Sequence, residues 1–571
     1  MNLPVALIFT ALTASLACGN DTYHHPPPAK DGPSPFPSNL FDSIENPRSE
    51  DSDPSERDTS QRPSASADDE STAPDRTSVP PGRQPVTWTR CGSGRCATLA
   101  VPIDYSEPSR GTLDLRVFVA PAELQAQRQG VLLFNPGGPG VPVVQDADAY
   151  HQFLASYFPT FDIVLMDNRG MGESTPVNCV DATFVDEHFG LAGDPWTLTS
   201  LDEIGEVWRN FERGCIERMG ETTLSSLHSN NVARDMDVVR QVLGEDKLNL
   251  WNVSYGTVQA SIYAKLFPEH VRSFVLDSPV YFADDTNNVV DVDVLIAAYD
   301  TELDRFLAWC GETGPCNLGT TPERASAGYD ALRETLREGV AHKGVILTAS
   351  HLDSAAASTL MYGEWSELAR VVRSAVDGNW GPLLEAASGG DDDSDRSYAM
   401  FQSNLVVRGL DYRCPSGYSS ARALERIDNA SVIHPRIADV YSWLFTFCLG
   451  WETQPTEVRE VTQNIESPPL LILTSAHDPA TPLSGANQLL TQLNNDSQLL
   501  VIEKEGHGVI GSSQEGTNSG VRFIEGGTLE ECAGLNCSSF RQARAISPKL
   551  RLPRLPHVPV LPVKTRRHQT P

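Results

Sequence analysis

The feature that most constrains this chain is an apolar run that stops on a serine. Leu248–Asn249–Leu250–Trp251–Asn252–Val253 leads into Ser254–Tyr255–Gly256, and a helix-like segment, Val258 to Phe267, follows at once. That order predicts a strand, a tight turn and a helix, with the serine hydroxyl pushed out at the top of a sheet. A serine hydroxyl is a poor nucleophile until a base takes its proton. A turn of this kind therefore predicts an acid and then a histidine further along. The apolar Leu470–Leu473 runs into Asp478, and Leu499–Ile502 runs into His507. Each follows a strand candidate, at the edge where open α/β sheets build their sites. Ser254, Asp478 and His507 are the expected nucleophile, acid and base. Asp277, at the end of Ser273–Leu276, is a rival acid.

Such chemistry also needs donors for an oxyanion. Val131–Phe134 leads into Asn135-Pro-Gly-Gly-Pro-Gly140. Glycines there let the backbone pass close to the site and point N–H groups inward. The expected donors are the N–H groups of Gly138 and of Tyr255, just after the nucleophile. One residue departs from the usual GxSxG turn: Asn252 stands where the first glycine belongs. If strand and helix cross closely there, its side chain must turn away from the helix and find polar partners.

Asn135-Pro-Gly-Gly-Pro-Gly140, Asp167-Asn-Arg-Gly-Met-Gly172, Val253-Ser-Tyr-Gly-Thr257 and Asp478-Pro-Ala-Thr-Pro482 together resemble the tripeptidyl-aminopeptidase-like branch of the α/β-hydrolases, relatives of the proline iminopeptidases. The resemblance runs from about Trp88 to about Cys537. It implies the same triad, with Asp478 preferred to Asp277, and a serine peptidase acting on peptide substrates. Gly409 departs from the family, which usually carries a cysteine two residues before the position of Asp411. Asp167–Gly172 reads as a structural turn whose Arg169 braces nearby backbone.

The strand candidates Leu113–Val119, Val131–Phe134, Phe161–Met166, Leu248–Asn252, Ser273–Leu276, Leu470–Leu473 and Leu499–Ile502 alternate with helical stretches such as Asp235–Leu243, Gln259–Leu266 and Ala486–Leu493. The expected fold is an α/β-hydrolase: a mostly parallel sheet flanked by helices. Between Val280 and about Thr456 the alternation gives way to helix-like stretches, including Ile296–Trp309 and Tyr329–Leu336. They predict a helical lid over residues 281–456, inserted after the sixth strand between core segments 86–280 and 457–540. In related aminopeptidases lid carboxylates bind the substrate's α-ammonium. Glu364 and Glu367, flanking Trp365, are candidates for that role; solvent exposure is the other reading.

Residues 1–17 carry a short apolar segment, Leu3 to Ala17, too short to span a bilayer, and read as a signal peptide. Ser15-Leu16-Ala17 fits a cleavage site that leaves Cys18 first, the arrangement of a lipoprotein with a membrane tether. Ordinary secretion, with Cys18 discarded or free, is the alternative. Residues 18–85 are acidic and rich in Pro and Ser and read as a disordered linker. Residues 541–571 form a basic, Pro-punctuated tail. The chain has 11 cysteines. Setting Cys18 aside leaves an even number, and spacing suggests Cys91–Cys96, Cys179–Cys215, Cys310–Cys316, Cys414–Cys448 and Cys532–Cys537, although spacing alone does not fix connectivity. No cysteine or histidine spacing suits zinc, and the mechanism needs no metal or organic cofactor. The net charge of −31 argues against nucleic-acid binding. The expected protein is an exported serine aminopeptidase of the cell envelope or the medium. An esterase with the same triad and an inactive surface-binding lipoprotein are the alternatives.

Overall fold

The computed structural model describes residues 85–188, 197–280, 292–387, 394–412, 414–459, 465–494 and 496–526. The expected signal peptide, Cys18, all of the expected linker but residue 85, the basic tail and the expected Cys532–Cys537 pair lie outside the described residues.

Nine strands form one sheet. In chain order they are β1 (Thr89–Cys91), β2 (Gly94–Pro102), β3 (Thr112–Ala120), β4 (Gly130–Asn135), β5 (Phe161–Met166), β6 (Leu248–Val253) and β7 (Val271–Asp277), followed after a small hairpin, β8 (Val340–His342) and β9 (Val345–Leu347), by β10 (Leu471–His477) and β11 (Gln498–Glu505). Their spatial order is β1-β2-β3-β5-β4-β6-β7-β10-β11. β1 to β3 are antiparallel, β3 pairs antiparallel with β5, and β5 onward is parallel.

The central strands are continuous apolar runs because helices cover both faces. Every residue of β4 and of β6 is buried. Successive side chains alternate between faces. Leu133 and Leu250 join one core with Val232, Met236 and Ile262 of helices Ser229–Leu243 and Gly256–Leu266. Leu132, Phe134, Trp251 and Val253 join the opposite core with Tyr150 and Phe153 of helix Ala147–Ala155 and Phe523 of helix Gln514–Ile524. Register brings the site together: Asn135 pairs with Asn252, Val253 with Asp277, and His477 with Glu505.

Between β7 and β10 the described residues are mostly helical and hold a separate apolar core built from Val292–Thr313, Pro322–Arg337, Ala349–Met361, Trp365–Val376 and Ser420–Ile433. This insertion follows the seventh strand rather than the sixth, because the short β1 precedes the expected opening strand. The hairpin β8–β9 within it carries too few residues to show a period in the sequence.

Four cysteine pairs are disulfide-bonded: Cys91–Cys96, Cys179–Cys215, Cys310–Cys316 and Cys414–Cys448. The glycine at 409 has a steric reason. A Cβ there would lie 2.5 Å from the Trp451 ring and 2.6 Å from Phe447. These stacked rings fill the space a cysteine would need.

Arg169 braces the turn after β5 as expected. It is fully buried, forms a two-pronged pair with Asp235 at 2.7 Å, and donates to the carbonyls of Pro102, Ile103 and Ser226. The neighbouring Asp167 accepts from the N–H groups of Val143, Val144 and Glu173. Removing one partner of a buried charge pair strands the other and costs about 3–5 kcal/mol. Arg169→Met should therefore lower unfolding stability by about that amount, read as a lower urea midpoint; an unchanged midpoint would refute the bracing role.

Candidate active site

Ser254 sits where β6 ends and helix Gly256–Leu266 begins. Its φ of 54° lies in the left-handed region, which is strained for a residue with a Cβ. Hydrogen bonds hold the turn. The Ser254 N–H donates to the Asp277 carbonyl at 2.9 Å, and its own carbonyl accepts from the Thr257 hydroxyl at 2.6 Å.

Gly137 permits the crowding. A Cβ at that position would stand 2.5 Å from the Val253 carbonyl oxygen and 2.8 Å from Ser254 Cβ. Asn135 ties this loop to the serine's helix: Oδ1 accepts from Gly137 N–H at 2.8 Å, and Nδ2 donates to Gln259 Oε1 at 2.7 Å. Gly138 and Tyr255, the expected oxyanion donors, line the same cavity as Ser254. Tyr255 is the residue preceding the helix's first turn, where N–H groups lack intrahelical partners.

Asn252 does not turn away from the helix. Its Nδ2 donates to the carbonyl of Gly256, the first helical residue, at 2.9 Å, while its buried Oδ1 has no partner among the described residues. The amide fits at the crossing because that carbonyl has a second lone pair to offer.

Asp478 and His507 meet. Asp478 Oδ1 accepts from the N–H groups of Ala480 and Thr481 at 2.9 and 2.8 Å. Oδ2 accepts from the Thr481 hydroxyl at 2.9 Å and lies 2.8 Å from His507 Nδ1. Burial pushes the Asp478 carboxyl up, but the charge and hydrogen bond of His507 and the bonds from Thr481 outweigh it, so the group is held below the usual range. The His507 N–H donates to the Met361 carbonyl of the insertion at 2.7 Å. His507 Nε2 is buried and has no hydrogen-bond partner among the described residues. The Ser254 hydroxyl does not reach it here; such bonds are often long before substrate arrives.

The rival acid is used differently. Asp277 is fully buried. Its Oδ1 accepts from Val509 N–H at 2.8 Å, and its Oδ2 from Ile510 N–H at 2.9 Å and the Trp251 indole at 3.0 Å. Burial raises its pKa, and these donors lower it only in part. Asp277 thus grips the chain just after His507, while its own carbonyl holds Ser254.

A cavity of about 180 Å³ opens at Ser254, lined by core residues such as Gly138 and Thr481 and by Tyr299, Arg408, Tyr441 and Trp443 of the insertion. Glu364 and Glu367 are not among its lining residues. Glu364 precedes helix Trp365–Val376, and Glu367 is paired with Arg370 one turn along the same helix. This placement adds no support for the expected ammonium-binding role of these two; helix geometry directs Glu367 to its i+3 neighbour. Arg408, the one charged residue among the lining residues, belongs to helix Ser394–Asp411 and carries no motif that sequence reading could detect.

Glu302, His477 and Glu505 bring ligand atoms within 4.8 Å of one another. The cluster already surrounds a cation. Arg305 donates to Glu505 at 2.6 Å and to His477 Nδ1 at 2.7 Å. It ties helix Val292–Thr313 to the loops that carry Asp478 and His507.

The two acids make opposite predictions. Asp478→Asn should fold and lose most turnover, because the amide presents the wrong group to His507 Nδ1. Asp277→Asn should keep activity per folded molecule but unfold about 2 kcal/mol more easily, since an NH2 would face N–H donors. Urea melts and active-site-normalised rates check both. A folded, inactive Asp277→Asn beside an active Asp478→Asn would reverse the assignment.

A family model described as the alpha/beta hydrolase fold matches residues 130–512, more than half of the chain. A tripeptidyl aminopeptidase of Streptomyces coelicolor is 29% identical over 453 residues, covering 75% of this chain and 81% of the relative. The serine protease Hip1 of Mycobacterium tuberculosis is 26% identical over 460 residues, covering 75% and 86%. A protein named carboxylesterase B, from the same species, is 28% identical over 457 residues, covering 76% and 85%. With its sheet order and the serine turn at the end of β6, the chain belongs to the α/β-hydrolase family.

Proposed function

We propose that this protein is an exported serine aminopeptidase that releases short peptides, tripeptides by likeness to its relatives, from free N-termini. Ser254 Oγ attacks the scissile carbonyl while His507 Nε2 takes its proton and hands it to the leaving amine. Asp478 orients the imidazole and stabilises its cation. The N–H groups of Gly138 and Tyr255 hold the oxyanion. Water then attacks the acyl-enzyme by the same route in reverse. The observation that carries this reading is the 2.8 Å contact between Asp478 and His507 Nδ1, which leaves the other ring nitrogen buried and without a hydrogen-bond partner among the described residues. The insertion, residues 281–456, acts as a lid that excludes water and selects substrates. Four disulfides among the described residues support an oxidising compartment and hence export.

A second reading keeps the triad but takes esters or blocked acyl groups. The cavity favours it in one respect: its described lining is mostly apolar and includes no carboxylate to meet an ammonium group.

Two measurements decide. Ser254→Ala should fold normally and lose turnover by a factor on the order of 10⁴ or more. Undiminished turnover would remove the serine from the mechanism, and no turnover by the wild type on any acyl substrate would leave a binding protein. Acetylating the N-terminus of a good tripeptide substrate should raise KM, lower kcat, or both. Equal rates on free and acetylated peptides would favour the second reading.

A further inference from the structure

The cavity at Ser254 has a marked charge. Among the described residues that line it, Arg408 is the one with a charged type of side chain; its neighbours there are tyrosines, a tryptophan, aliphatic side chains and small polar groups. Arg408 is also held in place. Its Nε donates to Asn404 Oδ1 at 2.9 Å, and its guanidinium stands 5.7 Å from the Tyr412 ring centre. Asn404 in turn donates to the Pro139 carbonyl at 2.8 Å, within the loop that carries Gly138. Helix and loop touch closely: a Cβ on Gly140 would lie 2.6 Å from the Met400 carbonyl oxygen. The guanidinium is thus fixed relative to the expected oxyanion donor.

A guanidinium offers five N–H donors, and only the one on Nε is used. Among the described residues Nη1 and Nη2 have no hydrogen-bond or ion-pair partner. The nearest acid in sequence, Asp411, is committed elsewhere. It accepts from Ser229 N–H and hydroxyl and from the Tyr255 hydroxyl. A positioned guanidinium with both Nη groups free in a mostly apolar cavity matches a carboxylate, which it can bind with two parallel hydrogen bonds from Nη1 and Nη2.

We propose that Arg408 is a specificity-determining residue whose guanidinium binds a carboxylate of the peptide substrate while the scissile carbonyl lies at Ser254. This rests on the catalytic reading above and adds the class of substrate. The carboxylate has two sources: an acidic side chain in the released peptide, or the free C-terminus of a short substrate on the leaving side.

The test compares substrates that differ only in carboxylate against carboxamide. One arm uses tripeptidyl aminomethylcoumarins with Glu or Gln in the peptide. The other uses tetrapeptides with a C-terminal acid or amide, with products separated by chromatography. In one arm the wild type should prefer the carboxylate by about tenfold or more in kcat/KM, mainly through KM. Arg408→Gln should bring that ratio to about one, and Arg408→Lys should keep part of it. Circular dichroism melts report whether each variant is folded. Ratios near one in both arms with the wild type overturn the proposal, whatever the variants do. So does a folded Arg408→Gln that keeps the preference. Turnover of the neutral partners that disappears in Ser254→Ala shows that the catalytic reading survives either result. Without such turnover both fall.

Discussion

The site depends on one buried carboxylate-bearing residue that does not take part in the proposed chemistry. Asp277 closes β7 at the row where β6 turns into the serine. Its backbone carbonyl takes the Ser254 N–H, and its side chain takes the N–H groups of Val509 and Ile510 and the Trp251 indole. One residue therefore fixes the strained turn at Ser254 and the loop just after His507. Serine and histidine lie more than 250 positions apart in sequence, so their relative placement needs such a tie. The cost is a carboxyl in a fully buried setting, offset by three donors.

The helical insertion is tied to the same loops. His507 N–H bonds to Met361, and a Cβ on Gly506 would lie 2.4 Å from the Gly363 nitrogen. Arg305 reaches Glu505 and His477, each one or two positions before an expected triad member. Burial and the hydrogen bond with Glu505 push the nearby Glu302 carboxyl up to about 8. The contact between insertion and core is thus partly ionic and sits next to the Asp478–His507 pair. A movement of helix Val292–Thr313 would be felt there directly.

Much of this was legible in the sequence because it rests on local signals. Apolar runs ending in Ser254, Asp478 and His507 mark strand ends, and the glycines at 137 and 138 mark a close approach of backbones. Asp478 and Asp277 both follow apolar strands; the Asp478-Pro-Ala-Thr-Pro482 motif favours Asp478, and the hydrogen-bond partners show what each carboxylate holds. Asn252 was expected to avoid the helix, yet it bonds to the helix's first residue, because the choice depends on which carbonyl has a spare lone pair. Glu364 and Glu367 lie before and within helix Trp365–Val376, whose neighbours in space cannot be read from its own sequence. Arg408 and Arg305 carry no pattern, because insertion helices acquire their partners only when the chain is folded.

The central claim is that Ser254 is a nucleophile activated by its setting. Its most direct test is reaction of the native protein with a fluorophosphonate, followed by peptide mapping. The account predicts one adduct, on Ser254, that does not form on heat-unfolded protein or in a His507→Ala variant. No adduct on the native protein, or an adduct on another residue, would contradict it.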